Sequence, residues 1–119
     1  MVAVFFHDEC LSYRAPPGVF DSLPSPYLGL QIEQPEGPER ILNTRAVLQN
    51  SDLAGELEWF QPGAATDAQL LMFHTREYLD RLIEGEKEAH YFTNSTYMVE
   101  GGMSVIRLSA GCALEAAQY

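Results

Sequence analysis

The chain has 119 residues with 7 basic and 17 acidic side chains, which gives a formal net charge of −10. This length suits one domain with a modest core, and the hydrophobic fraction of 46% is that of a globular chain. Lys87 is the only lysine, and no basic cluster is present. We therefore do not expect nucleic acid or an anionic membrane as a partner. Cationic partners are compatible with this charge, although solubility alone also explains it.

The number of cysteines and the polarity of the first residues predict the cellular compartment. Cys10 and Cys112 are too few for a disulfide framework, and they do not form a zinc-finger pattern. The chain becomes acidic at Asp8, after only six apolar residues at its start, which predicts neither a signal peptide nor a membrane span. We therefore expect reduced thiols and a cytoplasmic protein.

The first half of the chain predicts two strands separated by a loop and a helix. Val2–Phe6 is mostly β-branched or aromatic, as in a buried strand. Residues 10–37 have no helical period, and a loop of this length is usually functional or disordered. Pro38 is a good first helical residue, and the helix should end at Asn50 or Ser51. Glu56–Phe60 then alternates as a second strand. Three aromatic residues are expected to anchor the long loop: Tyr13, Phe20 and Tyr27.

The second half predicts helices. Thr66 and Gln69 form a capping box for a short helix, and Thr75 caps another, which Gly85 is expected to end. Residues 85–97 then form a second loop. The last segment predicts a helix with small residues on one face, at Gly102, Ile106, Ser109 or Ala110, Ala113 and Ala117. Strands alternating with helices favour an α/β layer architecture.

No catalytic site is assembled by local motifs alone. His7, Asp8 and Glu9 follow the first strand, but adjacent side chains point in different directions, so a solvated strand end is expected rather than a metal site. His74 lies between two helices and is expected to be structural. The sequence has no nucleophile elbow. Gly101-Gly102 is better explained by close helix packing than by an anion site.

Four sequence blocks carry a family resemblance: FFHDECLSYRAP, PEGPERILNTRAVLQNSDL, ATDAQLLMFHTREYLDRL and NSTYMVEGGMSVIRLSAGCALEA. In this order they resemble the N-terminal third of the histone deacetylase family, most of all its bacterial acetylpolyamine amidohydrolase-like members. The resemblance implies the N-terminal part of an arginase/deacetylase-type three-layer fold, in which a parallel sheet is flanked by helices. Residues 1–119 would be a single partial domain, with residues 10–37 as an entrance loop.

The resemblance also implies chemistry that this sequence does not complete. In the family, zinc is held by two Asp and one His, a His-His pair acts in acid-base catalysis, and a Tyr polarises the carbonyl. All of these lie downstream of the matched blocks. The sequence has no His-His, no Asp-x-His and no Gly-Gly-Tyr. We therefore expect zinc in the parent protein, and in this chain alone no metal ligand, no catalytic residue and no activity.

Three residues correspond to family positions with roles other than catalysis. Arg40 matches an arginine beside the channel through which acetate leaves; a surface salt bridge with Glu36 is the alternative. Asn94 falls where many members have an Asp at the pocket rim, although Thr93 or Ser95 can occupy that position in a shifted alignment. The third is Tyr13, which would be part of the entrance wall. The implied substrate is an acetylated amine, on lysine or on a polyamine.

Three hypotheses remain open from the sequence. The chain is the N-terminal segment of a zinc-dependent deacetylase, or it is a free-standing binding or regulatory module that kept the fold without the chemistry. In the second case its exposed sheet edges predict a homodimer or a complementing chain. The third hypothesis is an unrelated α/β protein that matches by chance, which a missing β-α-β crossover would support.

Overall fold

A computed structural model describes residues 1–18, 23, 25–32, 34–35, 37–94 and 96–119. Its sheet is a parallel pair of β1 (Val2–Phe5) and β2 (Leu57–Phe60). Val2 is in register with Leu57, and the Phe6 amide extends the ladder by donating to the Phe60 carbonyl at 2.9 Å. Parallel strands require a long crossover, and the chain supplies one that contains a helix. The predicted strands and the β-α-β crossover are therefore confirmed.

The described residues also form four α-helices: α1 (Pro38–Asn50), α2 (Asp67–Leu70), α3 (Arg76–Glu88) and α4 (Gly102–Gln118). Short 3-10 helices cover Asp8–Ser12 and Ala54–Glu56. The predicted caps are confirmed, since Thr66 and Gln69 form a complete capping box and the Thr75 hydroxyl accepts from the Tyr78 amide. None of the helices in these ranges is long and apolar enough to cross a membrane.

The two strands lie between α1 and α4. Val4 and Trp59 line a cleft with α1 on one face of the sheet. On the other face the Phe5 and Phe60 rings stack at 5.0 Å and both contact Tyr119, which directly follows α4. Since side chains alternate along a strand, this pairing places helices on both faces. The predicted α/β class with a sheet between helices is confirmed.

This layer is broad and has a small core. Its radius of gyration is 16.6 Å, whereas a compact domain of this length has about 13.5 Å. The extents of 51 × 37 × 18 Å describe a slab. Buried apolar side chains are concentrated where α3 and α4 meet, and among the described residues they are Ala65, Leu79, Met98, Met103, Val105 and Leu108. Most of α1 remains exposed, including Val47 at 68%.

The predicted end of α3 at Gly85 is wrong. The helix continues to Glu88, and Ala89 ends it in the left-handed conformation at φ 51°, so the second loop begins at residue 89 rather than 85. Gly85 is buried, and a Cβ there would lie 2.6 Å from the Phe92 ring. The glycine is therefore explained by a tertiary contact that leaves room for Phe92, rather than by a helix cap.

Two expectations about buried faces also change. In α4 the buried positions are Gly102, Met103, Val105, Leu108 and Gly111, whereas Ala113 and Ala117 are exposed, so only part of the predicted small-residue stripe is buried. In the long loop, Tyr13 is half-buried and acts as an anchor, but the side chain of Tyr27 is 95% exposed to solvent and does not anchor the loop. Phe20 lies outside the described residues.

The loop between β2 and α2 is held against α4. A Cβ added at Gly111 would overlap the Gly63 carbonyl oxygen. The Ala65 amide donates to the Arg107 carbonyl at 2.8 Å, and the Arg107 guanidinium donates back to the Ala65 carbonyl at 3.2 Å. Glycine at position 111 is required here because it lets the loop backbone approach the helix within contact distance.

We predict that Gly111→Ala destabilises the chain by about 1–3 kcal/mol, because the new methyl group must push the loop away from α4. The result is diagnostic because alanine has the higher helix propensity and would otherwise stabilise a helix by about 1 kcal/mol. Urea unfolding followed by circular dichroism measures the difference. Gly55→Ala is the matched control, since a Cβ there meets no atom within 4 Å. Unchanged or increased stability of Gly111→Ala would contradict the close approach.

Candidate functional site

The residues after β1 form local and ionic contacts. His7 Nδ1 accepts from the Glu9 amide at 3.2 Å, which makes His7 the cap of the 3-10 helix Asp8–Ser12. Asp8 forms an ion pair with Arg45 of α1, and the Arg45 guanidinium lies 5.3 Å from the centroid of the Phe6 ring. Across the described ranges, no group of three or more His, Cys, Asp or Glu side chains is arranged to hold a metal ion. The strand end is thus tied to α1 by capping and charge.

A cleft lies between α1 and the sheet and includes the predicted channel residue Arg40. Its volume is about 210 Å³. Arg40, Thr44 and Arg45 contribute polar groups from α1, whereas the sheet side is apolar and aromatic, with Val4, Phe6 and Trp59. Arg40 also lines a neighbouring polar hollow beside Arg14 and Glu39. The alternative partner Glu36 lies outside the described residues, so the salt-bridge alternative stays untested.

Tyr13 fixes the beginning of the long loop to the segment before α4. Its hydroxyl donates to the Tyr97 carbonyl at 2.5 Å and is 3.9 Å from the Met98 sulfur. The pKa of Tyr13 is raised, and burial of the hydroxyl is the largest cause. A Cβ at Gly102 would lie 2.9 Å from the Tyr13 ring, so close packing explains Gly102. The same explanation is wrong for Gly101, where a Cβ would meet no atom within 4 Å; this glycine is explained by its left-handed backbone at φ 74° before α4.

Asn94 lies in an exposed bend a few residues before this contact. Thr93 beside it is exposed as well, and its hydroxyl accepts from the Thr96 amide at 3.0 Å. Ser95 lies outside the described residues. The structure thus brings the Tyr13 segment next to residues 97–98 of the second loop, whereas Arg40 lines the cleft between α1 and the sheet. Substrate binding by Asn94 and Tyr13 stays a prediction.

His74 is held among aromatic rings in the turn between α2 and α3. Its ring centroid is 5.0 Å from those of Phe73 and Tyr78, and its amide donates to the Leu70 carbonyl at 2.9 Å. His74 also lines an apolar cavity of about 190 Å³ that Leu79 and Met103 close from α3 and α4. These contacts match the structural role expected for this histidine.

Sequence reasoning missed a charged cluster that positions the loop after β2. Asp67 accepts from Arg76 at 2.8 Å and from Arg107 at 2.5 Å. The Arg76 and Arg107 hydrogen bonds hold the pKa of the Asp67 carboxyl below its ordinary value. A second missed contact is the Glu86 carboxylate, which accepts from the Met103 amide at 3.0 Å and so caps α4 from α3. Acidic residues suit a helix start, but no local pattern identifies a cap that comes from another helix.

Comparison with known proteins identifies the class. The family model described as histone deacetylase domain matches residues 34–119. Histone deacetylase 8 of Arabidopsis thaliana is 35% identical over 121 residues, which cover 99% of this chain and 32% of that protein. The crystal structure of the HDA15 HD domain superposes with a TM-score of 0.74 at 25% identity, covering 98% of this chain and 31% of that one.

The chain therefore belongs to the histone deacetylase family. Family and fold class, as predicted from the four sequence blocks, are confirmed, and the hypothesis of a chance match is wrong. The chain spans about a third of the length of both relatives. The particular nearness to bacterial members stays a prediction.

We predict that Tyr13→Phe lowers the free energy of unfolding by roughly 1–2 kcal/mol, because the partly buried Tyr97 carbonyl loses its hydrogen-bond donor. Tyr27→Phe is the matched control, since its ring is 95% exposed and removal of that hydroxyl should change stability by less than about 0.5 kcal/mol. Equilibrium urea unfolding of both variants gives the comparison. Equal stabilities of the two variants would contradict the anchoring role of Tyr13.

Proposed function

We propose that this chain is the N-terminal portion of a zinc-dependent deacetylase that removes acetyl groups from an acetylated amine, and that the chain alone is inactive. The observation that carries the proposal is the superposition of 98% of the chain on 31% of the solved HDA15 HD domain. The order of the four sequence blocks supports the N-terminal position. The class of reaction follows from the family to which the chain belongs.

The residues that the structure describes do not fit a zinc ion, since they contain no suitable group of His, Cys, Asp or Glu side chains. No step of the reaction is therefore assigned to them. The proposed zinc ligands, the His-His pair and the tyrosine belong to the downstream part of the parent protein, as the resemblance implies. This chain supplies residues that line the space around that zinc centre.

One such contact is the cleft at Arg40, which we assign to the released acetate. Acetate presents a carboxylate and a methyl group, and the cleft offers both kinds of lining. A guanidinium can donate two parallel hydrogen bonds to a carboxylate, while Val4, Phe6 and Trp59 provide an apolar surface for the methyl group. The volume of about 210 Å³ is sufficient for an ion of this size.

The substrate side is assigned to the two loops. Asn94 is exposed in its bend and has an amide that can accept or donate a hydrogen bond, and Tyr13 supports that segment through Tyr97. The net charge of −10 favours a cationic substrate such as acetylated lysine in a basic segment or a polyamine. The neutral Asn94, in place of the Asp found in many members, removes one charge from this rim.

We predict that the purified 119-residue chain, supplied with Zn²⁺, hydrolyses neither an acetyl-lysine peptide nor an acetylpolyamine above a buffer blank. The physical reason is the absence of the family's zinc-ligand motifs from the sequence. Acetate release is measured after circular dichroism has shown that the sample is helical. Zinc-dependent turnover that a chelator abolishes would contradict this part of the proposal.

A second candidate, a free-standing binding module, is favoured by the open sheet. In the part of the chain that the structure describes, β1 and β2 pair only with each other, so both outer edges keep unpaired backbone groups. Val2 on β1 is 56% exposed. Such edges readily pair with another chain, and a module with this surface would work as a homodimer or with a complementing chain.

Light scattering tests whether the chain self-associates as a free-standing binding module should. Self-association should give about twice the monomer mass of 13.3 kDa, and Val2→Lys should return the chain to a monomer because an edge charge blocks strand pairing. Val47→Lys, at an exposed position of α1, is the matched control and should remain associated. A monomer that is stable to dilution argues against the module.

The gene gives the deciding observation between the two candidates. A reading frame that continues past the Tyr119 codon into a His-His and an Asp-x-His supports the deacetylase segment. A stop codon at that point overturns the segment hypothesis and leaves the module.

A further inference from the structure

The two cysteines of the chain lie on elements that pack directly together. Cys10 is in the 3-10 helix Asp8–Ser12 and Cys112 is in α4, and α4 packs against that 3-10 helix. Both thiols are free and partly buried. Nearly the whole sequence separates them along the chain, so their approach is a product of the fold.

The lining of one cavity shows that Cys10 faces the same stripe of α4 that carries Cys112. Cys10 lines a cavity of about 290 Å³ together with Val105 and Ser109. Positions 105, 109 and 112 are spaced by four and three residues, and helix residues at this spacing share one face. Cys112 is therefore the next residue toward the C-terminus on the face that Cys10 contacts.

The electrostatics of Cys112 give the second indication of proximity. Its pKa is raised first by burial and next by the charge of Cys10. A charge has this effect only on a group that lies close to it, because the Coulomb energy falls with distance. Together with the shared face of α4, this makes the two sulfurs neighbours in space.

We propose that Cys10 and Cys112 are a redox-sensitive thiol pair that forms an intramolecular disulfide when a peroxide is present. One thiolate attacks a peroxide oxygen, which breaks the O–O bond and gives a sulfenic acid and one water. The other thiolate then attacks the sulfenic sulfur and expels the second water. In total, two thiols lose two hydrogens, hydrogen peroxide is reduced to two waters, and a dithiol reductant reverses the change.

The surroundings set the rate of this reaction. Burial is the largest cause of the raised pKa of both thiols, and the charges of Glu9 beside Cys10 and of Glu115 beside Cys112 add to it. After Glu9 and Glu115, the third titratable side chain near the two thiols is His7. The thiolate is the reactive form, so the pair should react slowly at neutral pH, with a rate that increases about tenfold per pH unit below the pKa.

The consequence of the bond is mechanical. It would join the 3-10 helix Asp8–Ser12 covalently to α4 across their packing contact, so that α4 could no longer separate from the segment that follows β1. This role is independent of the deacetylase assignment, because it needs only contacts within the described chain.

The test is peptide mapping of the full chain after treatment with hydrogen peroxide at pH 7 and pH 8. Trypsin places Cys10 in residues 1–14 and Cys112 in residues 108–119, so the expected product is one linked pair of these peptides in a monomeric protein. Dithiothreitol should separate the pair. Cys10→Ser and Cys112→Ser are matched controls, and in each the linked pair of peptides should be absent.

Two further measurements keep the proposal falsifiable. In urea the yield of the linked pair relative to singly oxidised cysteine should fall about tenfold or more, since the fold no longer holds the thiols close. A linked fraction that is unchanged in urea, or a linkage rate that is independent of pH, overturns the proposal. So does oxidation of either cysteine to a sulfinic or sulfonic acid without the linked peptides, or a disulfide that forms only between two molecules.

Discussion

The contact between α4 and the loop that follows β2 is the constraint on which the remaining structure depends. Gly111 allows the Gly63 backbone to lie against the helix, and Arg107 exchanges hydrogen bonds with Ala65 in both directions. Because this loop begins at the end of β2, its position fixes where α4 crosses the sheet. The helix start is then set from α3 by the Glu86 carboxylate. One helix therefore connects the sheet layer to the apolar cluster between α3 and α4.

Local sequence signals predicted the helix starts well, because a helix start depends on residues that are neighbours in the sequence. Pro38 starts α1, and Thr66 and Thr75 cap the helices after them, since a cap needs only a side chain two or three residues from the amide it accepts from. Gly85 led to a wrong helix end because glycine is required there by the Phe92 ring, which lies seven positions later in the second loop. The stripe on α4 was only partly right because the partners of a helix decide which of its faces is buried.

The candidate site also has one part that the sequence predicted and another that only the structure shows. Arg40 was identified through the family resemblance, and the structure places it in a cleft whose aromatic wall comes from β1 and β2. That wall could not be read from α1 alone. Asp67 bridges Arg76 and Arg107 across two helices, and Cys10 approaches Cys112 from the other end of the chain. Contacts between residues this distant leave no periodic or spacing signal in a single sequence.

The parallel register of Val2 with Leu57 has a consequence for synthesis of the protein. At about 5–20 residues per second, the first strand is made several seconds before its partner exists. During that interval its apolar residues have no sheet to join, and the loop between the strands must close before any pairing energy is gained. Biogenesis thus contains a waiting period for the N-terminal strand, in which a chaperone that shields Val2–Phe5 would increase the yield of folded chain.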